Sequence, residues 1–245
     1  MTDNILLVSH KTGKQYFVED SSCDFHSTEG IVTANDLQDS QISIVVSSKK
    51  VRFSKIIPSL SDLKSAFARG PQIITEKDIG YIIAKTAVNQ NSVCVDAGAG
   101  TGALTLALAN VCKHLTCYDV NKKHVKVVEK NVALVGVTNV VVKHGDVAKD
   151  LVETEVDLIT LDLPDPQLVL AKVEEALKLG GWLVVYLPNI VQMKTCLDAL
   201  ATCKSLKLME LTEISKRDWK VAAGILRPVH TQIVHTGFLA FVRKL

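Results

Sequence analysis

The sequence predicts an α/β protein with a doubly wound parallel sheet, preceded by a small all-β domain. Three observations predict it. From Thr75 onward, apolar runs of strand length alternate with amphipathic stretches of helix length. A glycine turn, DAGAGTG at 96–102, stands where the first of those strands passes into a helix. Before Pro58 the chain reads as short strands broken by turn residues.

In order, NILLVSH, QYFV, STEGIV, QISIVVSS and KKVRFSKII read as strands of a domain over 1–58, with KTGK as a turn. Pro58 stops the last of them, and SLSDLKSAFARG forms a short helix with Ser59 or Ser61 as N-cap, so 59–75 is expected to be a linker. The larger domain, 76–245, is expected to run helix 76–88, strand 93–97, helix 102–112, strand 115–118, helix 121–135, and strands 139–143 and 157–162. Helix 167–178, strand 182–187, helix 189–203 and closing strands near 206–214 and 235–242 complete it.

No apolar run approaches the roughly 18 residues a membrane helix needs, and no basic-then-apolar leader precedes the strands, so a cytoplasmic protein is expected. The six cysteines, Cys23, Cys94, Cys112, Cys117, Cys196 and Cys203, show no CxxC and no zinc spacing; free thiols and no metal are expected. Net charge is only +2, but it is unevenly spread. Residues 1–48 hold two lysines against seven acids, whereas 49–85 hold eight basic residues against three acids. That basic stretch suits a polyanion or a solvated, charged linker.

Gly98, Gly100 and Gly102 let the backbone bend sharply and come close to a ligand, beside the free N–H groups of the following helix. Their spacing is GxGxG and not the GxGxxG of dinucleotide sites. Asp96 in the turn would repel a pyrophosphate but receives an ammonium, directly or through water. S-adenosyl-L-methionine carries an ammonium and a sulfonium and no phosphate. Asp119, 21 residues after Gly98 at the end of the next strand, can accept both ribose hydroxyls, or act as an acid at a helix N-terminus. Asp146 in KHGDV can accept the adenine amino group or cap the turn that follows.

LITLDLPDPQ ends the strand beside the glycine turn and delivers Asp162 toward the reactive methyl group. Methylation of adenine N1 yields a cation shared onto N6, so a carboxylate accepting N6–H binds more strongly as the reaction proceeds. Asp165 is expected to cap the next helix. Reaction at a base inside folded RNA also requires that the nucleotide be extruded and stacked; Tyr81, Tyr186, Trp219 and Phe238 are the available rings, or else core residues.

RGPQIITEKDIGYI, DAGAGTGALTLALA, LDLPDP, VVYLPNIVQM, RDWKVAAGILRP and HTGFLAFVRK together resemble the tRNA (adenine-58, N1) methyltransferases of the single-subunit archaeal and bacterial type, from about Pro58 to the end. The resemblance implies a Rossmann-like class I methyltransferase domain, a homotetramer built as a dimer of dimers, and methyl transfer from S-adenosyl-L-methionine to N1 of adenine 58, with 57 as a further target, in the T-loop of tRNA. The family's catalytic aspartate falls on Asp162, its ribose-binding acid on Asp119 and its adenine-contacting acid on Asp146. Gln72, Thr101, Val120 and Val147 complete the expected cofactor set. Tyr186, Asn189 and His235 fall near the reacting centre, and Lys49, Lys50, Arg52, Lys55 and Arg217 on the expected tRNA surface. Where relatives commonly read YPKD this chain reads TEKD, so Thr75 and Glu76 replace an active-site tyrosine and a proline. Two other readings are a same-fold methyltransferase acting on a small molecule or protein carboxylate, and a non-catalytic tRNA-binding subunit. The intact DAGAGTG and Asp162 speak against the last.

Overall fold

A computed structural model describes residues 4–68, 74–222 and 224–245. The chain divides into two units, Met1–Ala68 with Ala133–Gly136, and Arg69–Val132 with Val137–Leu245. In the first, β1 (Ile5–Ser9), β2 (Gln15–Val18), β5 (Ile44–Val46) and β6 (Arg52–Ile56) form an antiparallel sheet in the order β2-β1-β6-β5, and β3 (Phe25–Ser27) pairs with β4 (Gly30–Val32). Leu7, Val18, Val32, Leu37, Val45, Val51 and Phe53 make its core. The structure adds to this domain a five-residue helix, α1 (Ala34–Gln38), capped by Thr33, whose hydroxyl accepts from the Asp36 N–H. Five residues are too few to show a helical period, so only the Thr-x-x-Asp cap could have announced it. α2 (Leu60–Leu63) starts at Ser59 with a capping box to Asp62.

The second unit centres on a seven-stranded sheet in the order β12-β15-β11-β10-β7-β8-β9. Its strands are β7 (Val93–Ala97), β8 (His114–Asp119), β9 (Val140–His144), β10 (Val156–Leu161), β11 (Leu177–Leu187), β12 (Leu206–Glu213) and β15 (Phe238–Lys244). The helices are α3 (Glu76–Thr86), α4 (Ala103–Ala109), α5 (Lys122–Val135), α6 (Val147–Asp150), α7 (Leu170–Ala176) and α8 (Ile190–Leu200). A hairpin, β13 (Trp219–Ala222) with β14 (Ile225–Pro228), lies between β12 and β15. The strands alternate their burial between two cores. Val95, Ala97, Ile159 and Leu161 pack with Val173 and Met193 of α7 and α8, whereas Cys94, Leu115 and Leu158 pack with Ile82 and Leu108 of α3 and α4. Both faces are thus covered, which is why the strands read as continuous apolar runs.

Several expected boundaries move. Helix 167–178 is a 3₁₀ turn, Pro166–Val169, followed by α7, and the strand expected at 182–187 begins five residues earlier. The helix ends at Ala176 with Leu177 already extended, and Gly180, inside the strand with φ +78°, lies where the pairing with β10 jumps from Val156–Leu177 to Leu158–Trp182. The sheet is mixed, not wholly parallel: β15 runs antiparallel to both β11 and β12. A parallel neighbour requires a crossover connection, usually a helix, and among the described residues between β12 and β15 the chain supplies only the β13–β14 hairpin.

The β15 entry is fastened to the start of α3 by a buried polar cluster. Lys77 Nζ donates to Asp78 Oδ1 at 2.8 Å and to Thr236 Oγ1 at 2.6 Å, while Thr75 and Thr236 hydroxyls donate to Asp78 Oδ2 at 2.8 and 2.7 Å. Asp78 is wholly buried. Replacing Asp78 by Ala leaves the Lys77 ammonium, 9% exposed, without its counter-charge, so denaturant unfolding should show a loss of about 3–5 kcal/mol. Adding Lys77→Met to that variant should recover most of it, and a double variant as unstable as the single one would contradict this reading.

Candidate active site

In this topology the chain leaves β7 toward β8 and β9, then returns to the other side of β7 as β10. The reversal between β7 and β10 opens a crevice at their carboxyl ends, where open α/β sheets hold ligands. The glycine turn and Asp162 both lie there. Gly98, Gly100 and Gly102 have φ of +87°, +55° and +81°. The reason is partly internal: a Cβ on Gly98 would lie 2.0 Å from the Asp162 carbonyl oxygen, and one on Gly102 3.1 Å from Val128 Cγ1. Side chains are absent at Gly98 and Gly102 because the β10 tip and α5 already press on the turn.

Three carboxylates converge on this crevice. Asp96, 2% exposed, accepts from the Thr105 hydroxyl at 2.6 Å and the Thr160 hydroxyl at 2.7 Å. Both its oxygens are engaged beneath the turn, so its charge acts on a ligand across a layer of backbone. Burial raises its pKa. Asp119 accepts from Gly100 N at 3.1 Å and Asn121 N at 2.8 Å, and its Oδ2 is 3.1 Å from His124 Nδ1. It therefore ties the turn to α5. Asp162 has a backbone bond from its N–H to the Ala97 carbonyl at 2.9 Å. Burial, then the charges of Asp96 and Asp119, push its carboxyl up to about 7. Among the described residues, neither Asp96 nor Asp162 forms a salt bridge with a basic side chain.

Of the other expected cofactor residues, Thr101 is 3% exposed and its carbonyl accepts from Asn131 Nδ2 at 2.8 Å, whereas Val120 is 65% exposed beside Asp119, a free apolar surface for a flat ring. Asp146 caps α6, accepting from Ala148 N at 3.0 Å with Lys149 at 3.1 Å, and these bonds lower its pKa. Val147 is buried in the core. Gln72 lies outside the described residues. Asp165 precedes the 3₁₀ turn without capping it; its carboxylate accepts from the Gln167 side chain at 3.1 Å.

Tyr186 is buried near Asp78 and Asp162, both of which, after burial, raise its pKa to about 12; its hydroxyl donates to the Thr236 carbonyl at 2.7 Å. Gly237 gives its ring room, since a Cβ there would lie 2.5 Å from Tyr186 Cζ. Asn189 caps α8, accepting from Val191 N at 2.8 Å. His235 bonds the Pro188 carbonyl through Nε2 at 2.9 Å and Glu213 through Nδ1 at 2.6 Å, contacts that raise its pKa, and its ring lies 4.9 Å from Phe238. Tyr81 faces Phe241 at 5.5 Å and donates to Glu210 at 2.5 Å, away from the carboxylates, and Trp219 is exposed on its hairpin beyond the exposed Arg217. Thr75 is the N-cap residue of α3. In the first unit, Lys49, Lys50 and Arg52 are exposed around the β5–β6 turn. Lys55 is engaged: its ammonium donates to the carbonyls of Asp36, Leu37 and Asp39 at 2.9, 3.1 and 2.6 Å, closing the C-terminus of α1.

Thr105, Thr160, His124, Lys77 and Asp78 escaped the sequence reading. Each acts through a partner brought close only by the sheet order, so no local pattern marks it. Because Asp162 titrates near 7 in the fold and near 3.8 when unfolded, its ionised form opposes folding, fully above pH 7 and progressively less as pH falls toward 4. Asp162→Asn should therefore stabilise the free protein at pH 8, by on the order of 2–4 kcal/mol, with a gain that shrinks toward pH 4. A gain independent of pH would contradict the assigned cause.

A family model described as the tRNA methyltransferase complex GCD14 subunit matches residues 63–227. A curated relative from Methanocaldococcus jannaschii, named tRNA (adenine(57)-N(1)/adenine(58)-N(1))-methyltransferase TrmI, is 31% identical over 97% of this chain and 94% of its own. Another from Thermus thermophilus, named tRNA (adenine(58)-N(1))-methyltransferase TrmI, is 31% identical over 76% of this chain and 75% of its own. Among solved structures, an S-adenosylmethionine-dependent O-methyltransferase from Thermotoga maritima superposes with a TM-score of 0.86 at 27% identity, covering 100% of this chain and 93% of that one. The tRNA (m1A58) methyltransferase TrmI of Aquifex aeolicus gives 0.79 at 23% identity, covering 100% and 97%, a likeness of fold. The sheet order, the glycine turn and the matched region agree: this chain belongs to the GCD14 subunit family of tRNA methyltransferases.

Proposed function

We propose that the protein transfers a methyl group from S-adenosyl-L-methionine to N1 of adenine in the T-loop of tRNA, at position 58 with 57 as a further target. The observation that carries the chemistry is the cluster of Asp96, Asp119 and Asp162, at a switch point, in a family of tRNA methyltransferases. The residues fit the cofactor: the cluster calls for positive charge, and Val120 offers an apolar surface beside Asp119. When bound, S-adenosylmethionine supplies an electrophilic methyl sulfonium.

Asp119 takes the ribose hydroxyls. A carboxylate has about four acceptor sites, and Gly100, Asn121 and His124 claim three, so receiving both hydroxyls displaces His124. Asp162 is drawn into its carboxylate form by the incoming positive charge, and then accepts N6–H of the target adenine. As N1 is alkylated and charge spreads to N6, that bond strengthens, which lowers the barrier without merely tightening substrate binding. Tyr186, held by Thr236 and Gly237, is buried near enough to Asp162 to feel its charge. With Thr75 in place of a tyrosine, Tyr186 is the ring near Asp162 that can meet the base.

Lys49, Lys50, Arg52 and Arg217 supply exposed positive charge for the tRNA backbone. The homotetramer implied by the resemblance is supported by the exposed apolar residues Trp219, Val221 and Leu226 on the β13–β14 hairpin.

Mass spectrometry of nucleosides from unmodified tRNA treated with the protein and S-adenosylmethionine should reveal 1-methyladenosine. Asp162→Ala should lower kcat by about 10²–10³ while cofactor affinity stays within roughly tenfold. Methylation confined to small metabolites or to protein would replace the tRNA reading.

A further inference from the structure

The outward face of α5 differs in charge from the other helices of its unit. Lys122, Lys123, Lys126 and Lys130 are all exposed, and Glu129 is the one acid of the helix. At about 100° per residue the four lysines fall within a sector of roughly 100°, opposite the buried Val125, Val128 and Asn131. Among the described residues none of the four forms an ion pair. Two other helices of the unit neutralise such charges internally: α7 closes Lys172–Glu175 at 3.3 Å, and α8 closes Lys194–Asp198 at 2.5 Å. On α5 the same helical spacing sets Lys122 against Lys126 and Lys126 against Lys130, pairs that repel. The fold tolerates a line of like charge that a polyanion would relieve.

We propose that this lysine ridge is a docking strip for the phosphate backbone of the substrate RNA. The inference rests on the tRNA reading above and assigns it a surface on the catalytic unit itself. The ridge begins at the active site, because His124, in the first turn of α5, touches Asp119. From Lys122 to Lys130 it extends about 12 Å, enough to follow several phosphates, and the positive end of the helix dipole faces the site. Between 122 and 130 no apolar side chain falls within the sector, so the strip offers nothing to insert into a membrane and no hydrophobic centre for a protein interface.

Equilibrium binding of unmodified tRNA by the whole chain, followed from 50 to 300 mM KCl, tests this. Three proteins are compared: the unaltered chain, Lys122→Gln/Lys126→Gln/Lys130→Gln, and a control of equal net charge, Lys172→Gln/Lys204→Gln/Lys207→Gln. Glutamine keeps helix propensity, and Lys126→Gln alone serves as a milder second variant. The ridge triple should flatten the slope of log K against log salt by roughly 2–3 and the single variant by about 1, with binding at least tenfold weaker for the triple at 100 mM and the control close to unaltered. An unchanged slope in a folded ridge variant, or equal losses in ridge and control, overturns the ridge while leaving tRNA methylation standing. No tRNA binding by the unaltered chain overturns both.

Discussion

Like charges gathered in a partly buried crevice are the constraint around which this structure is arranged. Asp96, Asp119 and Asp162 stand at the carboxyl ends of three adjacent strands, β7, β8 and β10, and their mutual repulsion, added to burial, holds the Asp162 carboxyl near 7. A fold that only had to be stable would separate or neutralise them. Here two threonine hydroxyls steady Asp96 and two backbone N–H groups steady Asp119, so both carboxyls are held in place. Catalytic sites commonly carry such strain.

Holding that arrangement depends on close backbone packing. Gly98 lies against the Asp162 carbonyl, so the glycine turn and the strand tip carrying Asp162 cannot shift independently. On the far side, the Lys77–Asp78–Thr236 cluster fixes the segment that receives the Tyr186 hydroxyl. The crevice is thus braced from α3, β8, β10 and β15 together, elements distant in sequence and joined only by the sheet. On the exterior, the lysines of α5, the helix that starts three residues after Asp119, form no ion pair among the described residues.

Much of this was legible in the chain. Strand 93–97 and the order of alternating strands and helices through β11 follow from apolar periodicity, and DAGAGTG with Asp119 and Asp162 locates the crevice, because those signals are local or lie at a fixed offset in a βαβ unit. The direction of β15 was not read, although the lack of a crossover helix after 203 contains it. The glycine spacing in the sequence points to a ligand and carries no sign of the contact with Asp162 that the fold imposes. Asp146 and Lys55 illustrate the other limit. A polar residue at a loop can cap a helix or meet a ligand, and only the neighbours that folding supplies, Ala148 for one and the α1 carbonyls for the other, show which bonds it makes in the protein by itself. Thr105 and Thr160 carry no signal in sequence, since threonine on an apolar helix or strand is ordinary until Asp96 arrives beside it.

The most direct measurement of the electrostatic account is proton release on cofactor binding, obtained by isothermal calorimetry at pH 6 in buffers of different ionisation enthalpy. An Asp162 carboxyl near 7, forced to ionise by an arriving cation, predicts release of the larger part of one proton per cofactor bound at pH 6, little at pH 8.5, and none from Asp162→Asn. Binding at pH 6 with no proton released would mean that Asp162 is already an ordinary carboxylate, and the proposed role of the cluster would fall with it.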